Sequence, residues 1–177
     1  MLRAGSRPHS RPHQVLFRGY GVLKVEYRVF QVSDLVMKTE LFYFPFRKLH
    51  VELFGEHFTK NFEDHLGSRK NFTLFVAESL SGEILGFKSG YELNPSMYYS
   101  WSGGVTEKAR RNGVAKALML AQHGWCEKRG YKKVSTKTKN KFREMLVMNI
   151  KNGFDVVGTE PDARILGDIK ILLEKKL

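Results

Sequence analysis

Positive charge gathers at one point in the chain where bulk is also missing. The run Thr106-Glu107-Lys108-Ala109-Arg110-Arg111-Asn112-Gly113-Val114-Ala115-Lys116 holds four basic residues, one acid and one glycine. It separates a segment of strand character from one of helical character. A helix that starts just after Gly113 presents unpaired backbone N–H groups and the positive end of its dipole at that point. Gly113 lets the backbone come close to a ligand, and Ala115 keeps the next position small. Such a loop suits a pyrophosphate. Taken alone, the same composition also serves a basic helix-capping loop that binds nothing.

The elements around this loop can be read from periodicity. Residues 24–30 alternate, with Val25, Tyr27 and Val29 on one side and Glu26 and Arg28 on the other, as in a half-buried strand. Residues 35–66 read as two helical pieces broken at Pro45, the second with an apolar row Phe54, Phe58, Phe62 and Leu66. Residues 72–78 and 83–91 flank Ser81-Gly82 as a hairpin, and Asn94-Pro95-Ser96 turns the chain into a third strand, 97–105. The period then becomes helical over 115–129. A strand follows at 133–138, then a helix carrying Phe142, Met145, Leu146 and Asn149 that ends at Gly153. Residues 154–157 and 165–173 read as the last two strands. A strand–helix–strand crossing from 97 to 138 makes those two strands parallel. The class is therefore mixed α/β.

Composition bounds the alternatives. The chain has 177 residues, enough for one domain, and no apolar run long enough to span a bilayer. A single cysteine, Cys126, forbids an internal disulfide and fits a reducing, cytoplasmic compartment. The net charge of +12 favours anionic partners. A third of that excess comes from four arginines within residues 1–21, a stretch without a carboxylate. That stretch is expected to be a disordered extension, with a single domain over 22–177.

Two segments carry a family resemblance. Arg110-x-x-Gly113-x-Ala115 resembles the (Q/R)-x-x-G-x-(G/A) signature of the GNAT acyltransferases, and it sits between a meander strand and the next helix, as in that family. Thr138-Lys139-Asn140, Met145-Leu146 and Asn149-Ile150-Lys151-Asn152-Gly153-Phe154 resemble the family's second cofactor-side segment. The resemblance covers about residues 24–177 and is weakest over 35–66. It implies the GNAT fold: an α/β (α+β) architecture with a mixed, mostly antiparallel sheet of six to seven strands, helices on both faces, and parallel fourth and fifth strands that splay apart. It implies acetyl-CoA as cofactor, with the pantetheine arm between the splayed strands. The implied contacts are Gly103, Gly104, Val105, Arg110, Arg111, Asn112, Gly113, Val114, Ala115, Lys116, Asn140 and Asn149. It further implies an amine-bearing acceptor, attacked directly in a ternary complex, and a homodimer.

The proton-transfer groups are less defined. The family often places a Tyr where this chain has Asn149, and that Tyr protonates the leaving thiolate. Asn has no acidic proton, although its N–H₂ can hydrogen-bond sulfur. Asn149, Glu78 and Tyr99 are the catalytic candidates, with Tyr98, Ser100, Ser102, Glu52 and Glu56 also near the expected cleft. Cys126 reads as packing and His123 as a helix-surface residue. Two readings compete with the enzyme. One is a basic nucleic-acid-binding module, supported by charge but by no recognition motif. The other is a CoA-binding GNAT fold without catalysis. No metal is implied.

Overall fold

The computed structural model describes residues 15–18, 25–163, 165 and 167–177. Eight strands form one sheet: β1 Val15–Arg18, β2 Glu26–Val32, β3 Thr73–Ser79, β4 Ile84–Asn94, β5 Met97–Val105, β6 Lys133–Lys139, β7 Asp155–Pro161 and β8 Ile169–Lys176. Their spatial order is β1-β2-β3-β4-β5-β6-β8-β7. Every neighbouring pair is antiparallel except β5 and β6, which run parallel as the crossover requires. The sheet thus has one strand more than the six to seven expected. The added strand, β1, falls within the segment read as an extension and pairs with β2. The rest of that segment lies outside the described residues.

Helices cover the two faces unequally. On one face α2 Glu40–Phe54 and α3 Glu56–Leu66, preceded by the single turn α1 Asp34–Met37, bury Phe46, Leu49 and Phe62 against Val32, Leu74, Val76 and Phe87. On the other face α4 Val114–Lys128 packs on β2 to β5, and α5 Arg143–Lys151 packs on β6. Under α4, Tyr27, Val29, Phe75 and Ala77 meet Val114, Ala117 and Leu118; farther along, Met119 and Cys126 meet Val134, Phe154 and Leu173. No described helix is long and apolar enough to cross a membrane.

Two sequence expectations need correction. Pro45 does not break the helical stretch; it lies inside α2, and the break falls at Gly55, whose φ of +82° ends α2 and begins α3. Pro45 lacks the N–H that would reach the Leu41 carbonyl. Leu41 is 90% exposed, so water can replace the missing donor. The last strand begins at Ile169 rather than 165, because Ile165 and Asp168 belong to a turn in which Asp162 N donates to Asp168 O at 2.8 Å.

Candidate active site

The β5–β6 ladder is short. Only Met97, Tyr98 and Tyr99 pair, with Lys133, Val134 and Ser135. Beyond them β5 continues to Val105 on β4, and β6 continues to Lys139 on β8. The two strands therefore diverge, leaving a fork whose inner edges carry backbone N–H and C=O groups that the other strand does not meet. Thr136 Oγ1 donates to the Ser100 carbonyl at 2.8 Å, a side chain bridging the first step where the backbone ladder has ended. Opposite β4 the pairing shifts between Ser89/Ser102 and Gly90/Ser100, so Trp101 is the extra residue of a bulge.

The basic loop stands at the open end of this fork. Thr106 N donates to Leu85 O, a 3₁₀ turn Glu107–Ala109 follows, and Arg111 and Gly113 take φ of +61° and +78°. Those left-handed turns bring the chain into α4 with Gly113 as N-cap. No side chain caps α4, and its first turn holds no acid. The first-turn N–H groups and the dipole's positive end are therefore available. Tyr27 Oη donates to the Asn112 carbonyl at 3.3 Å and fixes the loop from below. Asn112 Nδ2 donates to Arg110 O at 3.0 Å, while its Oδ1 is buried without a partner. Arg110, Arg111 and Lys116 are exposed around the same point; Lys108 is tied to Glu83.

The structure sorts the remaining expected contacts. Val114 is buried in the core beneath α4, Ala115 is half-buried, and Val105 packs against that core. Gly103 and Gly104 line the fork, but each also has a packing reason to lack a side chain. A Cβ on Gly104 would sit 2.8 Å from Leu53, and one on Gly103 would sit 3.0 Å from the Phe87 carbonyl. Asn140 follows β6 immediately and is exposed at the fork's mouth. Asn149 is 4% exposed on α5, and its carbonyl accepts from Phe154 N at 3.1 Å.

The catalytic candidates do not converge. Tyr99 lies at the closed end of the fork, on the face away from α4, its ring 5.4 Å from that of Tyr91. Glu78 lies on β3 level with Ile84, beyond the far end of β5, and accepts from Arg28 Nε at 2.7 Å. It is placed as an ion-pair partner, away from Tyr99. Tyr98 is fully buried under α4 and its hydroxyl shares a 2.7 Å hydrogen bond with Thr73. Ser100 and Ser102 are buried, whereas Glu52 and Glu56 are exposed. Cys126 is buried as packing, and burial pushes its thiol up to about 12. His123 is not on the surface. It is 3% exposed with both ring nitrogens unpartnered, and burial, then the nearby Lys88 and Lys175, lower it to about 3.

The profile described as the Acetyltransferase (GNAT) family matches residues 36–144. The chain belongs to the GNAT acetyltransferase family. No curated protein matches it. Among solved structures, this GNAT domain is similar to an aminoglycoside 6'-acetyltransferase type Ii, with 16% identity over 84% of this chain and 96% of that one and a TM-score of 0.70. It is also similar to a GNAT family acetyltransferase from Elizabethkingia anophelis solved with acetyl-CoA bound (18% identity, 85% and 98% covered, TM-score 0.67). Nourseothricin acetyltransferase matches over 60% of this chain with 18% identity and a TM-score of 0.56, and the chain spans 65% of that relative's length.

Sequence reasoning missed one residue beside the fork. Lys88 of β4 lies on the α4 side, its stem 3.5 Å from where a Gly103 Cβ would be. Burial lowers its ammonium to about 8, with a small opposing effect of Cys126. A lysine directly after the apolar run Ile84-Leu85-Gly86-Phe87 is the signal that could have found it.

Proposed function

We propose that this GNAT domain is an acetyl-CoA-dependent N-acetyltransferase that acts on a primary amine by direct attack within a ternary complex. One observation carries the reading: an uncapped, acid-free helix N-terminus opens at the mouth of a strand fork with unpaired inner edges. The N–H groups of Gly113 to Lys116, with Arg110 and Arg111, suit a pyrophosphate. The inner edge of β5 from Trp101 to Val105 suits an extended arm that pairs as an added strand. When bound, acetyl-CoA would supply the acyl thioester that the amine attacks and would leave as the thiol. The bulge at Trp101 interrupts the regular pairing with β4 beside the fork, where a backbone N–H can stabilise a developing oxyanion. Asn149 can hydrogen-bond sulfur but cannot protonate it. The thiol's ordinary pKa of about 8.5 makes a thiolate a tolerable leaving group without an acid.

Calorimetric titration with acetyl-CoA and a thiol-release assay over a panel of amines test this reading. Micromolar binding with amine-dependent thiol release is expected. No binding at millimolar acetyl-CoA would remove the reading. Binding with silence across the panel would favour the second one, a CoA-binding domain without catalysis, which Asn149 keeps open. A nucleic-acid module is separated by salt, since its binding would fall steeply between low and physiological ionic strength.

A further inference from the structure

The two faces of the fork differ. α4 closes one. On the other, α3 covers β3 to β5 but no described helix lies over β6, β8 and β7. At the edge of that open face stand three partly exposed rings. Tyr99 marks the fork's closed end, and Trp101 sits on the bulge two residues along. Tyr91 lies between them, 5.4 Å from Tyr99 and 6.1 Å from Trp101 by ring centroids. The wall is held from behind: His65 stacks on Trp101 at 4.4 Å, Phe62 at 5.5 Å, and the Arg69 guanidinium covers Tyr91 at 4.9 Å. An arm held at the α4 N-terminus and along β5 would end beside these rings.

The charges on this face point the same way. A polycationic acceptor would need carboxylates free to receive it, and most of those on the sheet face beside the fork are already paired with lysines, the exposed Asp155 at the far strand β7 apart. Lys137 donates to Glu160 at 2.8 Å. Lys139 holds Asp162 and Asp168 at 2.5 and 2.6 Å, and Lys170 reaches Asp162 at 3.2 Å. Glu174 is paired with Lys133 at 2.9 Å. Arg69 adds a further cation. A face of this kind also disfavours the ammonium form of an incoming amine, which must be neutral to attack.

We propose that the acceptor is a primary amine carried on an aromatic group, which packs against Tyr91, Tyr99 and Trp101 and presents its nitrogen at the closed end of the fork. The inference rests on the acetyltransferase reading for its chemistry but not for its binding surface. Two experiments separate the dependencies. In steady-state kinetics at saturating acetyl-CoA, phenylethylamine is expected to show kcat/KM at least about tenfold above spermidine and kanamycin, the size of one aromatic contact. Tyr91→Ala should raise KM for phenylethylamine about tenfold and leave acetyl-CoA affinity unchanged; Tyr91→Phe should restore KM. A preference for spermidine or kanamycin, or an unaltered KM in Tyr91→Ala, overturns the proposal while leaving the acetyltransferase reading in place. Independently of acetyl-CoA, phenylethylamine should quench the fluorescence of Trp101 in saturable fashion, and Trp101→Phe should lose that signal while Trp125 remains. Absence of saturable quenching overturns the aromatic seat even if no amine is ever acetylated.

Discussion

At the scale of single residues, Gly113 and Lys88 show how differently two positions beside one fork are constrained. Gly113 combines a φ of +78° with a place at the exposed N-cap of α4. A side chain there strains the backbone by roughly 1–2 kcal/mol, and a carboxylate repels the anion that the helix terminus would hold. Gly113→Glu is expected to fold and to lose acetyl-CoA binding by at least about a hundredfold in calorimetry; a folded variant of unchanged affinity would sink the pyrophosphate assignment. Lys88 has the opposite character. Its ammonium has no described carboxylate partner, and its pKa falls from 10.5 to about 8 because burial disfavours the charge. A lysine depressed in this way weakens the folded state fully below pH 8, and the penalty fades as pH rises from 8 to 10.5. Lys88→Met should therefore raise stability near pH 7 by about 2 kcal/mol, with the gain vanishing above pH 10.5. Urea midpoints at the two pH values check this, and a gain independent of pH would contradict it.

At the scale of elements, the unit that matters is β5, its loop, α4 and β6. This unit is legible in the sequence because its signals are local and agree: alternation to Val105, a glycine and basic cluster, then a 3.6-residue period from Val114. What makes the fork, by contrast, is long-range. That the ladder stops after Tyr99 and Ser135 depends on how β6 twists toward β8, which no short window contains. Pro45 misleads for a related reason: its local rule predicts a break, but the packing of Phe46, Leu49 and His50 holds α2 together across it. His123 misleads because its helix is covered on more than one side, against Phe154 as well as the sheet. The fork's closed end offers a direct test. Thr136→Val removes the donor to the Ser100 carbonyl and leaves that buried acceptor unpaired. A loss of about 1–3 kcal/mol is expected, together with faster hydrogen exchange at Tyr98 and Tyr99. Unchanged exchange there would mean that the bridge does not hold the fork.

At the scale of the whole molecule, acid stability should be set by two histidines on opposite faces of the sheet. His50 is fully buried between α2 and α3, among Phe46, Phe54, Phe58, Phe62 and Phe87, and shares its Nδ1 with Thr59 Oγ1 at 2.8 Å while Nε2 has no partner. Burial lowers its pKa to about 4, against a weaker upward pull from Glu63. His123, under the other layer, falls to about 3. In both cases the folded state holds the neutral ring and the unfolded chain binds the proton near pH 6.5. The histidines' contribution to stability is thus constant above that value and falls as pH drops from 6.5 toward 4 and then 3, with up to two protons taken up on unfolding. His50 alone accounts for about 3 kcal/mol of that loss at pH 4. The carboxylates of Glu92, Glu160 and Asp168, which lysines hold below their ordinary range, add to the loss at still lower pH. Denaturant melts at pH 7, 5.5 and 4.5 should show the slope steepening below 6.5. His50→Phe, which fills the same ring-lined site without a titrating group, should flatten it by about half. If the wild-type slope begins only below pH 4.5, carboxylates alone govern acid unfolding and the buried histidines do not.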